Sequence, residues 1–196
     1  MIKAQEAVIE KANGAYKTAG MSANDYMETV TSMSAALIQS LDGDTVAAAE
    51  KADMAITDMS DNANKMGSDI ESIKNAYSGF AKANYTMLDN LKLGYGGTKE
   101  EMQRLLDDAT KISGVKYDIS QYDDIVDAIH VVQTEMGITG TTAKEAATTI
   151  QGSIASAKAA WTNLQTGLAD ENADLDALVG ELVAVSYTHL TLPTIL

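Results

Sequence analysis

The stretch from Ser68 to Leu106, SDIESIKNAYSGFAKANYTMLDNLKLGYGGTKEEMQRLL, sets an apolar helical stripe, a glycine-dense turn and a capped second helix in immediate succession. Ile70, Ile73, Tyr77 and Phe80 step by three and four, so they share one face of a helix. Met102, Leu105, Ala109 and Ile112 repeat that walk after the turn. Between the two, Leu93-Gly94-Tyr95-Gly96-Gly97-Thr98 places three glycines ahead of a threonine whose hydroxyl can accept from the first turn of the next helix.

The same spacing extends in both directions. Tyr26, Val30, Met33, Leu37 and Leu41 form one stripe, Ala52, Ile56, Met59, Ala63 and Met66 another, and Ile125, Ile129, Val132 and Met136 a third. No comparable run alternates with the period of a strand. Helix starts are signalled by a Ser or Thr with an acid three residues later: Ser22 with Asp25, Ser68 with Glu71, Thr98 with Glu101, Ser120 with Asp123, and Thr142 with Glu145. Helix ends are signalled by Gly20, Gly43, Gly67, Gly114 and Gly137. These signals predict an all-α bundle of about seven amphipathic helices joined by short Gly-containing turns, over 2–19, 22–41, 44–66, 69–90 with a break, 98–113, 121–136 and 142–168, with a short helix over 172–184. Residues 1–184 are expected to form one module, with 1–67 and 68–184 as subregions. The strongest stripe, Ile150, Ile154, Ala157, Trp161, Leu164 and Leu168, is heptad-like for under three heptads and lacks charged flanks, so packing into the bundle is expected over a coiled coil.

Composition agrees with helix. Aromatic residues make up 5% of the chain and the sole proline is Pro193, which leaves the helical stretches free of the residue that most disrupts them. Fourteen basic against 28 acidic residues give a formal charge of −14, which argues against nucleic-acid binding by this module, because that affinity rests on neutralising phosphates. An anionic membrane surface would be repelled too. Without cysteine there is no disulfide framework and no thiolate metal site. The first residues lack the pattern of a secretory signal, and no window reaches the roughly 18 consecutive apolar residues of a membrane span, so membrane contact is expected only through parts outside this sequence.

Residues 185–196 read differently. Val185 to Thr194, VSYTHLTLPT, resembles a translated sequencing adapter, carries no Asp, Glu, Lys or Arg, and holds both Pro193 and His189. The expectation is a non-native tail, with the natural sequence continuing beyond Ala184.

Few residues suggest chemistry. The Leu93–Thr98 turn could present backbone N–H groups to an anion at a helix start, but it lacks a dinucleotide fingerprint and a phosphate-loop Gly-Lys-Ser/Thr, so a tight connection capped by Thr98 is expected. His130 is one histidine without cysteine partners, and a pairing with Asp127 three residues back is the simplest expectation. Asp42-Gly43-Asp44 lacks the remaining ligands of a calcium loop. No serine sits in a nucleophile elbow. The ten methionines lie mostly on core-facing stripes and read as gap-filling. No catalytic, cofactor-binding or metal-binding residue is assigned, no cofactor is implied, and no enzymatic activity is expected.

The Ser68–Leu106 block resembles the tail tape measure proteins of tailed bacteriophages. The resemblance extends more loosely from Tyr16, through MSANDYMETVTSMSAALIQSL at 21–41, to EAATTIQGSIASAKAAWTNLQTGL ending at Leu168. It implies a virion structural protein around which the tail tube polymerises and whose length sets that of the tube. Implied partners are tail tube subunits, tail assembly chaperones and tail-tip or baseplate proteins. The implied location is the tail tube lumen, after synthesis in the host bacterial cytoplasm, with release during genome ejection. A continuous helix over 1–184 would reach about 276 Å at about 1.5 Å per residue, but glycines interrupt this chain too often for a rod. The expectation is therefore a compact helical region of such a protein. The alternative is a secreted bacterial helical interaction or pore-forming protein, because Tyr77-Ser78-Gly79 resembles the turn motif of type VII helical-hairpin substrates.

Overall fold

The computed structural model describes the backbone of residues 2–148, 150–170 and 173–191 and, within these, the side chains outside 2, 148, 150–153 and 186–191. Among the described residues it is all helical, with no strand. The elements in chain order are α1 (Ile2–Thr18), α2 (Ala23–Ser40), α3 (Thr45–Met66), α4 (Ile70–Phe80), a 3-10 turn (Leu88–Leu91), α5 (Lys99–Ser113), α6 (Tyr122–Glu135), α7 (Thr141–Thr148), α8 (Ile150–Gly167) and α9 (Leu175–Thr191). The sequence expectation of a helical bundle holds, with one change in the elements: the last helix runs further than 184. The helix expected over 142–168 is described as α7 and α8, on either side of position 149, which lies outside the described residues.

α3 is the hub of the bundle, packing against α1, α2, α4, α6 and α7. Of its expected apolar stripe Ala52, Ile56 and Met59 are buried while Ala63 and Met66 are partly buried against the core, and Asp58, Ser60, Asp61 and Asn62 are buried too, because neighbours close around this half of the helix on several sides. One core runs from Ala12 to Ile138 and includes Tyr26, Met33, Leu37, Ile56, Met59, Ile73, Tyr77 and Phe80. It crosses position 67, so residues on both sides of that position share it. A smaller cluster of Tyr16, Ala159, Ala160 and Val185 fastens α8 and α9 to α1. Val185 to Thr191, expected as a non-native tail, continue α9, and Val185 is buried. Pro193 and the His189 side chain lie outside the described residues.

All five glycines read as helix ends have positive φ, the left-handed conformation that closes a helix without a Cβ penalty. The starts are less regular. Ser22 and Thr98 cap α2 and α5 as expected, accepting from Asp25 N and Glu101 N at 3.2 Å each. At α4 the cap is Asp69 rather than Ser68, with its carboxylate accepting from Ser72 N at 2.9 Å. At α6 the N-cap is Gln121, whose side chain makes no capping bond. There Ser40 of α2 accepts from Asp123 N at 3.2 Å instead. α7 takes its cap from α3, since the Asp61 carboxylate accepts from Gly140 N and from Thr142 N, the latter at 2.7 Å. α8 returns the favour to α2, where Asn163 Oδ1 accepts from Ala23 N at 2.8 Å. Helix N–H groups without intrahelical partners are thus satisfied across the bundle as well as locally.

The break expected within 69–90 falls after Phe80. Asn84 N bonds back to Gly79 O at 2.9 Å, and Ala83 takes φ 54°, so the chain turns out of α4. A Cβ on Gly79 would stand 3.0 Å from Asn84 O, which explains the glycine. Asn62 Nδ2 then donates to Leu91 O at 2.9 Å, anchoring the 3-10 turn to the hub helix from within the core.

Candidate functional site

The Leu93–Thr98 turn is internally committed. Glu101 accepts from Gly96 N at 3.0 Å and takes Arg104 at 2.6 Å, so its carboxylate sits where an anion would dock on the turn. Arg104 also donates to Gly94 O at 2.7 Å and lies 4.3 Å from the centre of the Tyr95 ring. The Arg104 guanidinium first, and the Gly96 N–H second, hold the Glu101 carboxyl below its usual range. Burial, reinforced by the hydrogen bond to Asp108, pushes the Tyr95 hydroxyl up to about 12. A Cβ on Gly97 would fall 2.3 Å from Thr86 O, so this glycine lets two backbone segments touch. The turn is a connection closed by its own side chains, as the capping pattern predicts.

His130 does not pair with Asp127. Its Nδ1 lies 2.8 Å from Oδ2 of Asp58 on α3, while Asp127 takes Lys51. Asp58 is 1% exposed and His130 retains 33% of its side-chain surface, so the pair has one buried and one wetted end. Burial pushes the Asp58 carboxyl up, against the lowering effect of His130. The hydrogen bond to Asp58 raises the imidazole above its ordinary value, outweighing its own partial burial. A carboxylate orienting an imidazole is also half of a general-base arrangement. The pair joins α3 to α6.

Asp44, the second acid of Asp42-Gly43-Asp44, caps α3 by accepting from Val46 N and Ala47 N at 3.0 Å each. Among the described residues no group of three or more His, Cys, Asp or Glu is arranged to hold a metal, and no helix is long and apolar enough to cross a membrane. Met33, Met59 and Met102 are fully buried, and Met54 and Met66 pack against the core. Met27, Met87 and Met136 are exposed.

Two further features were not legible in the sequence. The first is the orientation of α8, whose expected core stripe faces outward: Ile154, Trp161 and Leu168 are exposed, Trp161 by 50%. The inward face carries Ser156, Ala159, Ala160, Asn163 and Gly167, small or polar groups that allow close approach to α1 and bonding to α2. The expectation that this stripe packs into the bundle is therefore corrected for those three residues. Ile150 lies outside the described side chains. The second feature is a cavity of about 650 Å³ bounded by the α1–α2 and α3–α4 turns, α3, α7 and α8. Ser60, Ser68, Thr142 and Ser156 line it, and their hydroxyls are buried without a hydrogen-bond partner.

No family model matches this chain, and no curated protein or solved structure matches it either.

Proposed function

We propose that this chain is a compact helical module of a phage tail tape measure protein, a structural component of the virion tail. The observation that carries the reading is the Ser68–Leu106 block, where the resemblance to that family is most specific. In the fold this block is α4, the 3-10 turn and the start of α5, held by core residues Ile73, Tyr77, Phe80, Leu91 and Leu105. Its polar groups are spent on architecture: Glu101 and Arg104 close the turn, and Thr98 caps the helix. That is the behaviour of a scaffold element.

In this reading the ruler property belongs to extended helix elsewhere in the parent protein, where each added residue adds about 1.5 Å. The present module contributes a folded body that engages tail tube subunits, assembly chaperones or tip proteins. Its charge of −14 keeps it from retaining the genome that follows it through the tube. The test is genetic. In-frame deletions in the parent's rod-like region are expected to shorten tails in proportion when virions are viewed by electron microscopy, and tails of unchanged length would refute the reading. The module itself is proposed to have no catalytic role. Zymography of the purified chain on bacterial cell walls should give no clearing, and a cleared zone would overturn that part.

A further inference from the structure

We propose that the outer face of the α8–α9 hairpin is a docking surface for a second copy of this chain, the two hairpins packing antiparallel about a two-fold axis. On α8, Ile154, Trp161 and Leu168 are spaced by seven, so they drift by only about 20° per step and form one line along the helix. The opposite side of α8 is tied down, with Ala159 and Ala160 against Tyr16 of α1 and Asn163 bonded to Ala23 N of α2. α9 is oriented the same way. Val185 packs on Tyr16, and Glu181 faces Asn163 and Lys17. Val183 is two residues from each, about 200° round the helix, and shares its side with Val179 and Leu175 at steps of four. Both stripes therefore point away from α1, on helices that pack against each other. The six apolar side chains on them are between 40% and 68% exposed.

The area suits a pair of copies. A standard interface removes about 800 Å² per partner from water, and a little over half of that is non-polar. Side chains of this kind, each about half-exposed, together present several hundred square ångströms of apolar surface, which is the amount such an interface needs and the upper end of what a monomer leaves bare. Charge then selects the occupant and its orientation. The chain carries −14, yet over 150–167 the sole charged residue is Lys158, which is exposed. A second copy meets this helix without carboxylate facing carboxylate. A polybasic partner would find a lysine and no acid along it, and an anionic lipid surface would be repelled by the net charge. The acids of the hairpin gather near its turn, as Asp170, Asp174 and Asp176. A parallel pair would bring both turns together, whereas an antiparallel pair separates them and sets each toward the lysine-bearing helix of the other copy. This inference is independent of the tail-assembly reading, and either can fail alone.

Sedimentation equilibrium of the full chain over about 1–300 µM tests it, since interfaces of this size hold at micromolar concentrations or below. The mass is expected to rise with concentration from 20.7 kDa to twice that value. The double variant Ile154→Glu, Leu168→Glu sets carboxylates along the α8 line and should weaken pairing about a hundredfold, because like charges then face each other across the interface. Both positions are exposed in the single chain, so the helix content and melting of the variant at the lowest concentration should match the parent. The control Ile112→Glu, Val115→Glu adds the same charge at exposed apolar positions around the end of α5 and should pair as the parent does. Orientation is read separately, because the chain has no cysteine of its own. In antiparallel copies of Leu168→Cys the two thiols stand about 21 Å apart at 1.5 Å per residue, beyond disulfide reach, so copper–phenanthroline oxidation of the paired variant should give no cross-linked dimer. A disulfide dimer would overturn the antiparallel arrangement. A mass fixed at one chain throughout, pairing untouched by the glutamates on α8 or abolished by the control, or a monomer that binds phosphatidylcholine vesicles instead, would overturn the proposal.

Discussion

The Asp58–His130 pair shows how one residue can make stability depend on pH. An imidazole whose folded value is raised holds its proton more tightly in the folded state, so its contribution is complete below the unfolded value of about 6.5. That contribution is lost as pH rises through the raised folded value. Asp58 acts in the same sense from a lower starting point, because burial raises its carboxyl and its contribution begins to be lost as pH rises above the unfolded value of about 3.9. The melting temperature is therefore expected to fall as pH rises from about 6.5 into the alkaline range. In His130→Ala the imidazole's share of that dependence should disappear. The substitution should also cost about 2 kcal/mol near neutrality, a buried-pair value discounted because the ring is one-third exposed. Urea titrations of both proteins between pH 5 and 9 check the slope and the offset together. A wild-type midpoint that climbs across that range would contradict the sign.

At the scale of elements, the sequence disclosed what is local. Ser22 and Thr98 cap their helices because the hydroxyl and the first-turn N–H are neighbours in the chain, and five glycines close helices because φ is a property of one residue. The α4 cap moved by one residue, since Ser68 and Asp69 are adjacent capping residues and the pattern alone does not rank them. The starts of α6 and α7 were not legible, because their partners, Ser40 and Asp61, lie 83 and about 80 positions away in the chain. α8 misled for a related reason: its periodicity identified a face, but whether that face turns inward is decided by what α1 and α2 present to it. The cavity likewise draws on five separate elements, and no spacing rule joins them. Asp61 offers the sharpest test at this scale. Asp61→Ala removes two backbone N–H bonds to a buried carboxylate and should cost about 3 kcal/mol. Hydrogen exchange should quicken first at 140–145, while amides of α5, which packs mainly on α6, stay protected. Uniform acceleration across α5 and α7 would show that the cap serves the whole bundle and not its own helix.

Across the whole molecule, burial is unevenly shared. The main core draws on α1 to α6 and joins large side chains such as Tyr26, Met33, Tyr77, Phe80 and Leu105. The cluster that fastens α8 and α9 consists of two alanines, one valine and one tyrosine, and among the described residues α9 packs chiefly on α8. Asn163 adds one hydrogen bond to that attachment. Stabilisation scales with apolar area removed from water, so this hairpin is held by a small fraction of what holds the rest. Local opening is expected where buried apolar contact is sparse. Trp161, the chain's single tryptophan, lies on α8 and reports on this hairpin, whereas far-UV circular dichroism reports on all the helices together. In urea the Trp161 emission is therefore expected to change at a lower midpoint than the ellipticity. Filling the weak contact by Ala160→Val should not bring the two midpoints together, because Ala160 is fully buried against Tyr16 and a larger side chain would overpack it. Coincident midpoints in the unaltered chain would instead mean that hairpin and core unfold as one cooperative body, with the cross-bundle caps outweighing the difference in buried area.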